Sequence, residues 1–181
     1  EDALYYAANA SLAMGEQAQA RDEFQQFLRL RPQSNLAPSA RRRLADSLYA
    51  LGNYDAASDL YTKIREQSKG TPVAGEALLG LGWISFSRKD WPQAAQRFEG
   101  AAKELRGAPQ AEAWLRAGDA AFNAGAYATA QQSYRQAAQV AGNPLTKSDA
   151  HMGAGWAAYR QRDFNQAYGE WGNALAVAPE D

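Results

Sequence analysis

Residues 78–98, with the sequence LLGLGWISFSRKDWPQAAQRF, decide the fold of this 181-residue chain. Gly82 is followed twelve residues later by Ala94, and Ala94 is followed four residues later by the large aromatic Phe98. The arrangement occurs five times, and its alanines are 36 or 37 residues apart. Its members are the small residues Ala8, Ala45, Gly82, Gly118 and Gly155, the alanines Ala20, Ala57, Ala94, Ala130 and Ala167, and the aromatics Phe24, Tyr61, Phe98, Tyr134 and Trp171. A period of this length indicates a repeat architecture.

Each repeat has the apolar spacing of two amphipathic helices. Glycine ends the first helix at Gly15, Gly52 and Gly125, whereas Lys89 and Arg162 occupy this place in the third and fifth repeats. The first helices are predicted to begin at Asp2, Ser39, Gly75, Ala111 and Ser148. Prolines that break the helical run are expected between the repeats, namely Pro32, Pro38, Pro72, Pro109 and Pro144.

Small residues on one helix let a neighbouring helix approach, and large aromatics fill the remaining groove. A single hairpin cannot bury both of its faces, so the repeats are expected to stack. The predicted fold is therefore an all-α, right-handed solenoid of about five helical hairpins in a single domain. The repeats are predicted at about 1–37, 38–74, 75–110, 111–147 and 148–181.

Composition excludes several functional classes. Lys and Arg total 19 and Asp and Glu total 20, so the chain lacks the basic excess with which proteins neutralise nucleic-acid phosphates. With no cysteine and one histidine, disulfides, thiol nucleophiles and multi-histidine metal sites are excluded. No apolar run approaches the roughly 18–20 residues of a membrane span. We predict no nucleic-acid partner, no direct membrane span, no cofactor and no metal.

These motifs resemble the tetratricopeptide repeat, as in Leu78-x-x-Leu81-Gly82 followed by Ala94-x-x-x-Phe98. The resemblance extends to the closing prolines, Pro32 and Pro179. Two features depart from the family pattern. An aromatic is usual three residues after the small residue of the first helix, where this chain has Ser11, Leu48, Ser85, Ala121 and Ala158. The period is also longer than the usual 34 residues.

The extra residues fall between the repeats, as in residues 31–40, RPQSNLAPSA. This joint resembles that of long-period repeats in bacterial cell-envelope proteins, such as the outer-membrane-assembly lipoprotein and the Tol–Pal-associated periplasmic coordinator. Similar repeats occur in exopolysaccharide secretion scaffolds and in cytoplasmic proteins. The resemblance favours the periplasm or cell envelope and leaves the cytoplasm open.

First helices of stacked hairpins line a concave face. Helical spacing predicts that a binding groove is formed by Tyr5, Asn9, Leu12, Arg42, Asp46, Tyr49, Leu79, Trp83, Phe86, Leu115, Asp119, Phe122, Met152, Trp156 and Tyr159. Within it runs a mostly aromatic row, Leu12, Tyr49, Phe86, Phe122 and Tyr159, which either anchors a partner or braces neighbouring first helices. Beside the row the residues alternate as Asn9, Asp46, Trp83, Asp119 and Trp156.

The groove favours a non-catalytic scaffold that captures a partner peptide or helix through Trp83, Phe86, Phe122, Trp156 and Tyr159. Asp46, Asp119 and Arg42 would set its register by charge. The alternative is a glycan-binding scaffold of a polysaccharide secretion system, because sugar rings stack on aromatics and hydrogen-bond to carboxylates. An enzyme is not predicted, since no acid, base and nucleophile converge.

Two further expectations concern single places in the chain. His151 is predicted to pack or to help start a helix. No extra polar helix follows Pro179, so we expect a longer array, end-to-end self-association through uncapped ends, or a partner bound at this end.

Overall fold

The computed structural model describes residues 2–177, and the predicted closing proline Pro179 lies outside them. Ten α-helices and no strand occur in this part of the chain. They are α1 Ala3–Ala13, α2 Gln17–Leu30, α3 Ala37–Ala50, α4 Tyr54–Gln67, α5 Pro72–Ser87, α6 Trp91–Glu104, α7 Ala108–Asn123, α8 Tyr127–Val140, α9 Pro144–Arg160 and α10 Phe164–Val177. Consecutive pairs form the first to fifth hairpins, which confirms the predicted all-helical hairpin fold.

The chain divides into two compact units, Glu1–Lys69 and Gly70–Asp181. The N-terminal unit holds α1–α4, and the C-terminal unit holds α5–α10. Within each unit every helix packs against the next one along the chain. The prediction of a single domain stays a prediction, and each unit is described by itself.

Left-handed backbone closes the turn inside every hairpin. Gly15, Gly52 and Gly125 have φ angles of +80°, +77° and +76°, as predicted for helix-ending glycines. Lys89 and Arg162 adopt the same conformation, with φ angles of +60° and +63°. A side chain other than that of glycine strains a backbone with positive φ. The third and fifth hairpins therefore keep the same turn geometry although a lysine or an arginine stands where the other hairpins have glycine.

Four of the prolines lie in the first turns of first helices, and the prediction that they separate the repeats was wrong. Pro38, Pro72, Pro109 and Pro144 occupy the first or second position of α3, α5, α7 and α9. Proline is favoured here because its missing N–H would have no helical partner anyway. These helices consequently begin two to four residues before the predicted starts.

The repeated small residues and aromatics form the core, as predicted. A β-carbon added to Gly82 would lie 2.5 Å from the Phe98 ring, so the ring occupies the place of a side chain. In the same way, the Tyr134 ring lies between Gly118 of its own hairpin and Gly153 of the next one. The five repeated alanines are all buried. Small residues thus set how closely the helices approach.

None of the helices within residues 2–177 has the length and apolar character needed to cross a membrane.

Candidate functional site

The aromatic row joins the two helices of each hairpin. Each of its four aromatics, at the end of a first helix, contacts the aromatic that begins the second helix of the same hairpin. Ring centroids are 5.6 Å apart for Tyr49–Tyr54, 4.8 Å for Phe86–Trp91, 5.3 Å for Phe122–Tyr127 and 5.6 Å for Tyr159–Phe164. Edge-on and tilted pairs of this kind are favourable. The aromatics of the row therefore brace the two helices of a single hairpin, whereas one of the two predicted roles was to brace neighbouring first helices.

The two predicted groove carboxylates already have partners inside their own hairpins. The Tyr61 hydroxyl donates to Asp46 Oδ1 at 2.6 Å, and Arg42 Nη1 donates to Asp46 Oδ2 at 3.3 Å. Asp119 repeats this arrangement, accepting from the Tyr134 hydroxyl at 2.8 Å and from Arg116 at 2.9 Å. Both aspartates therefore satisfy a buried tyrosine, which explains where they occur in the repeat series.

The two tyrosines are held in the neutral form. Burial is the main cause that raises the pKa of Tyr61 and of Tyr134 above the ordinary tyrosine value, because a phenolate is poorly solvated there. The nearby carboxylates of Asp46 and Asp119 raise the pKa further. Neutral hydroxyls remain donors, so the two hydrogen bonds persist at neutral pH.

Tryptophan replaces aspartate where the facing aromatic has no hydroxyl group to bond. The Trp83 ring lies 5.3 Å from Phe98, and the Trp156 ring lies 5.2 Å from Trp171. Asn9, in the hairpin of Phe24, donates to the backbone oxygen of Tyr5 at 2.8 Å. The alternation along the predicted groove thus reflects contacts inside each hairpin.

Several predicted groove residues contribute to packing. Leu115 is only 9% exposed and belongs to a core cluster, so its prediction as a surface contact was wrong. Leu115 lies beside the small residues Ala150 and Ala154, against which α7 packs. The half-buried members are Tyr5, Asn9, Leu12, Arg42, Asp46, Tyr49, Leu79, Trp83, Phe86, Asp119 and Phe122.

Cationic side chains cover two aromatics of the C-terminal unit. The Arg116 guanidinium lies 5.4 Å from the centre of the Trp83 ring, and that of Arg160 lies 5.8 Å from the centre of Phe122. Arg160 also stacks on Tyr127 and hydrogen-bonds to its hydroxyl group. Each arginine comes from the following hairpin, so cation–π contacts join neighbouring hairpins.

The predicted groove residues of the fifth hairpin are exposed. Trp156 is 50% exposed and Tyr159 is 46% exposed, and Met152 lies beside them on α9. On α10, Tyr168 is 81% exposed and Leu175 is 79% exposed, with Phe164 one turn before Tyr168. We call these six residues the open face. The α10 members were not among the predicted groove residues, which all lie on first helices.

The fourth hairpin buries the two positions that correspond to Tyr168 and Leu175 of the open face. Gln131 and Ala138 of α8 are equivalent to Tyr168 and Leu175, and both are buried where α9 packs. In addition, the indole nitrogen of Trp171 is buried and has no hydrogen-bond partner within residues 2–177. The α10 part of the open face is therefore the stacking side of the fifth hairpin, without a helix from the described chain upon it.

A buried ionic cluster in the C-terminal unit was also missed. Glu170 of α10 is 6% exposed and contacts Arg135 of α8 at 2.5 Å and His151 of α9 at 2.8 Å. His151 therefore has a specific polar partner, which the prediction of packing or a helix start did not include. The available signal was a glutamate next to the repeated aromatic Trp171, a place that Ser133 occupies in the preceding hairpin.

No group of three metal-ligating side chains occurs in the described part of the chain. The basic run at residues 41–43 is half-buried, and Arg41 donates to the backbone oxygen of Pro32 at 3.2 Å while Arg42 pairs with Asp46. The arrangement offers apolar contact area and paired charges, which suit recognition.

Comparisons with known proteins agree with this architecture. No curated protein matches the chain. Among solved structures, residues 41 to the end of MamA from Desulfovibrio magneticus RS-1 have a TM-score of 0.73 at 17% identity, covering 96% of this chain and 92% of that one. BtubC from P. vanneervenii has a TM-score of 0.79 at 15% identity, covering 98% and 82%. A Podosopora anserina protein with nearly identical TPR-like repeats has a TM-score of 0.74 at 14% identity, covering 96% and 92%. At these identities the likeness shows the fold alone.

Two family models, both described as tetratricopeptide repeat, match residues 2–34 and 42–109. Together they cover more than half of the sequence, and the hairpins of the structure extend the same packing to α10. The chain belongs to the tetratricopeptide repeat family.

Proposed function

We propose that this protein is a non-catalytic interaction scaffold whose open face captures a helix of a partner protein. The observation that carries the proposal is the exposure of six large apolar side chains together on α9 and α10. Exposed apolar patches of this kind mark interaction sites. Membership of a family of helical interaction modules supports the same class of function.

The preceding hairpin indicates what kind of helix would fit. On α8, the Tyr134 ring packs against Gly153 of α9, and the buried Ala138 is in the same core cluster as Ala150 and Ala154. By repeat equivalence, a partner helix on α10 presents glycine or alanine to Trp171. Tyr168 and Leu175 are larger than the residues they replace, so the partner helix needs small residues opposite them as well.

A photocrosslinking amino acid at position 168, introduced in the source cells, tests the proposal. We expect crosslinks to a helical segment of another protein that is rich in glycine and alanine. The variant Leu175→Glu places a charge on the open face and should abolish the crosslink. Met14→Glu is the matched control, because Met14 is also an exposed apolar residue but lies just after α1, in the N-terminal unit.

Each of the other outcomes would contradict the proposal. Crosslinks to a second copy of the chain would assign the open face to self-association. A crosslink that survives Leu175→Glu would show that the helix lies elsewhere, and no crosslink would leave the open face without a partner.

The glycan alternative has less support than the protein-binding proposal. It rested on alternating tryptophans and aspartates, but Asp46 and Asp119 already bond to tyrosines, and Trp83 is half-buried beneath Arg116, which leaves Trp156 as the exposed tryptophan of the alternation. The remainder of the groove stays a prediction. So does the cell-envelope assignment, which rests on the joint between repeats and is tested by the compartment of the crosslinked partner.

A further inference from the structure

We propose a second binding site, specific for a carboxylate group, in a cavity between α8, α9 and α10. The cavity has a volume of about 340 Å³. Its wall includes Arg135, Lys147, His151 and Glu170, with the amides of Gln139 and Asn173 at its edge. It shares none of the six residues of the open face, so this inference does not rest on the proposed function.

The charges of the cavity wall favour an anion. Glu170 is neutralised within the protein, because Arg135 Nε contacts Oε1 at 2.5 Å and His151 Nδ1 contacts Oε2 at 2.8 Å. Arg135 also donates through Nη2 to Gln166 at 2.7 Å. Lys147 then remains as a second cation in the wall, and no salt bridge to it is found in the described part of the chain.

The position of Lys147 on its helix points to a ligand. Lys147 lies at the N-terminal end of α9, where the helix dipole disfavours a cation, and no acidic residue lies in the first turn to offset it. The lysine therefore does not serve the stability of its own helix. Together with Arg135, it can attract an anionic oxygen group into the cavity.

The buried glutamate selects between anions. With Arg135 and Lys147 positive and Glu170 negative, the wall carries one net positive charge when His151 is neutral. A singly charged carboxylate leaves the occupied site neutral, whereas a doubly charged phosphate leaves it with one net negative charge. The two amides can hydrogen-bond to the rest of a small polar ligand. The carboxylate can belong to a free acid or to an acidic side chain of a peptide.

The unique histidine provides the test, because His151 gives a single set of imidazole signals in the NMR spectrum. The protein is titrated at neutral pH and constant ionic strength with butyrate, with the tripeptide Gly-Glu-Gly carrying blocked, uncharged ends, and with inorganic phosphate. We expect saturable shifts with the two carboxylates and weaker binding of phosphate. Tighter binding of butyrate assigns the site to free acids, and tighter binding of the tripeptide assigns it to acidic side chains.

The variant Lys147→Met should weaken carboxylate binding by about tenfold or more, since it removes one charge-assisted hydrogen bond. Lys63→Met, which removes an exposed lysine of α4, should leave binding unchanged. An absence of saturable shifts, equal binding by the Lys147→Met variant, or a preference for phosphate would each overturn the proposal. The spectrum of the rest of the protein reports whether each variant is folded.

Discussion

The third and fifth hairpins carry tryptophan at the same place in the repeat, in different surroundings. Trp83 packs on Phe98 and is covered by Arg116 of the next hairpin. Trp156 packs on Trp171, has no described helix after it, and remains half-exposed. Position in the array, more than residue type, therefore decides whether an aromatic of this repeat supports the core or is available to a partner.

The largest difference in stability between the third and fifth hairpins is expected when one aromatic of each is truncated to alanine. Phe98→Ala should lower the free energy of unfolding by about 3–5 kcal/mol, because Phe98 is fully buried. Phe164→Ala should cost less than about 1 kcal/mol, because Phe164 is mostly exposed. Urea unfolding followed by circular dichroism measures both. Equal losses would show that the open face is packed in solution.

The next comparison adds a methyl group at a glycine of each hairpin. Gly82→Ala places a carbon 2.5 Å from the Phe98 ring and should cost about 1–3 kcal/mol. Gly172→Ala is the control, since nothing lies within 4 Å of its added carbon, and it should stabilise α10 by up to about 1 kcal/mol. If both changes stabilise the protein, close packing on Gly82 is refuted.

Alkaline pH separates the hairpins that contain an aspartate–tyrosine pair from those that do not. An unfolded tyrosine loses its proton near pH 10, whereas burial beside a carboxylate raises the pKa of Tyr61 and Tyr134 in the folded state. The folded state then holds more protons, so the free energy of unfolding falls as the pH rises above about 10, by roughly 1.4 kcal/mol per pH unit for each tyrosine.

Urea unfolding across this alkaline range measures the fall. In the double variant Tyr61→Phe/Tyr134→Phe, the free energy of unfolding should fall less steeply as the pH rises. An identical pH dependence in the variant and the original protein would contradict the assignment to these two side chains.

The smallest expected effect concerns the turns. Lys89→Gly and Arg162→Gly each remove a side chain from a left-handed position, and each should stabilise the protein by about 0.5–1 kcal/mol. The reverse change, Gly125→Ala, should cost a similar amount. Thermal unfolding compares the three. A loss of stability in Lys89→Gly would indicate that the lysine side chain makes a stabilising contact.

The repeat itself could be predicted because glycine, alanine and aromatic residues recur in register, and steric fit between them requires no long-range information. The helix starts were wrong because proline has two roles, breaking a helix from within and beginning one at its first turn. Pro72 and Pro144 have the second role.

The candidate site was harder to predict. The partners of Asp46 and Asp119 are not apparent when first helices are compared only with one another, because each aspartate pairs with a tyrosine on the second helix of its own hairpin. Exposure on α10 depends on what packs against that helix, and the pairing of His151 with Glu170 joins residues nineteen positions apart. The repeat pattern predicted an uncapped end but not which α10 side chains are exposed there, and it gave no sign of the pair formed by His151 and Glu170.

The pairing of polar partners inside hairpins has a consequence for how such arrays can be recombined. If two repeat sequences recombine within the joint between hairpins, Asp119 stays in the same chain as Tyr134, and Gly82 stays with Phe98. A crossover at the turn within a hairpin can join a first helix bearing aspartate to a second helix bearing phenylalanine, which leaves a half-buried carboxylate without its hydroxyl donor. The intact hairpin is therefore the piece that can be duplicated, deleted or exchanged between arrays without loss of internal pairing.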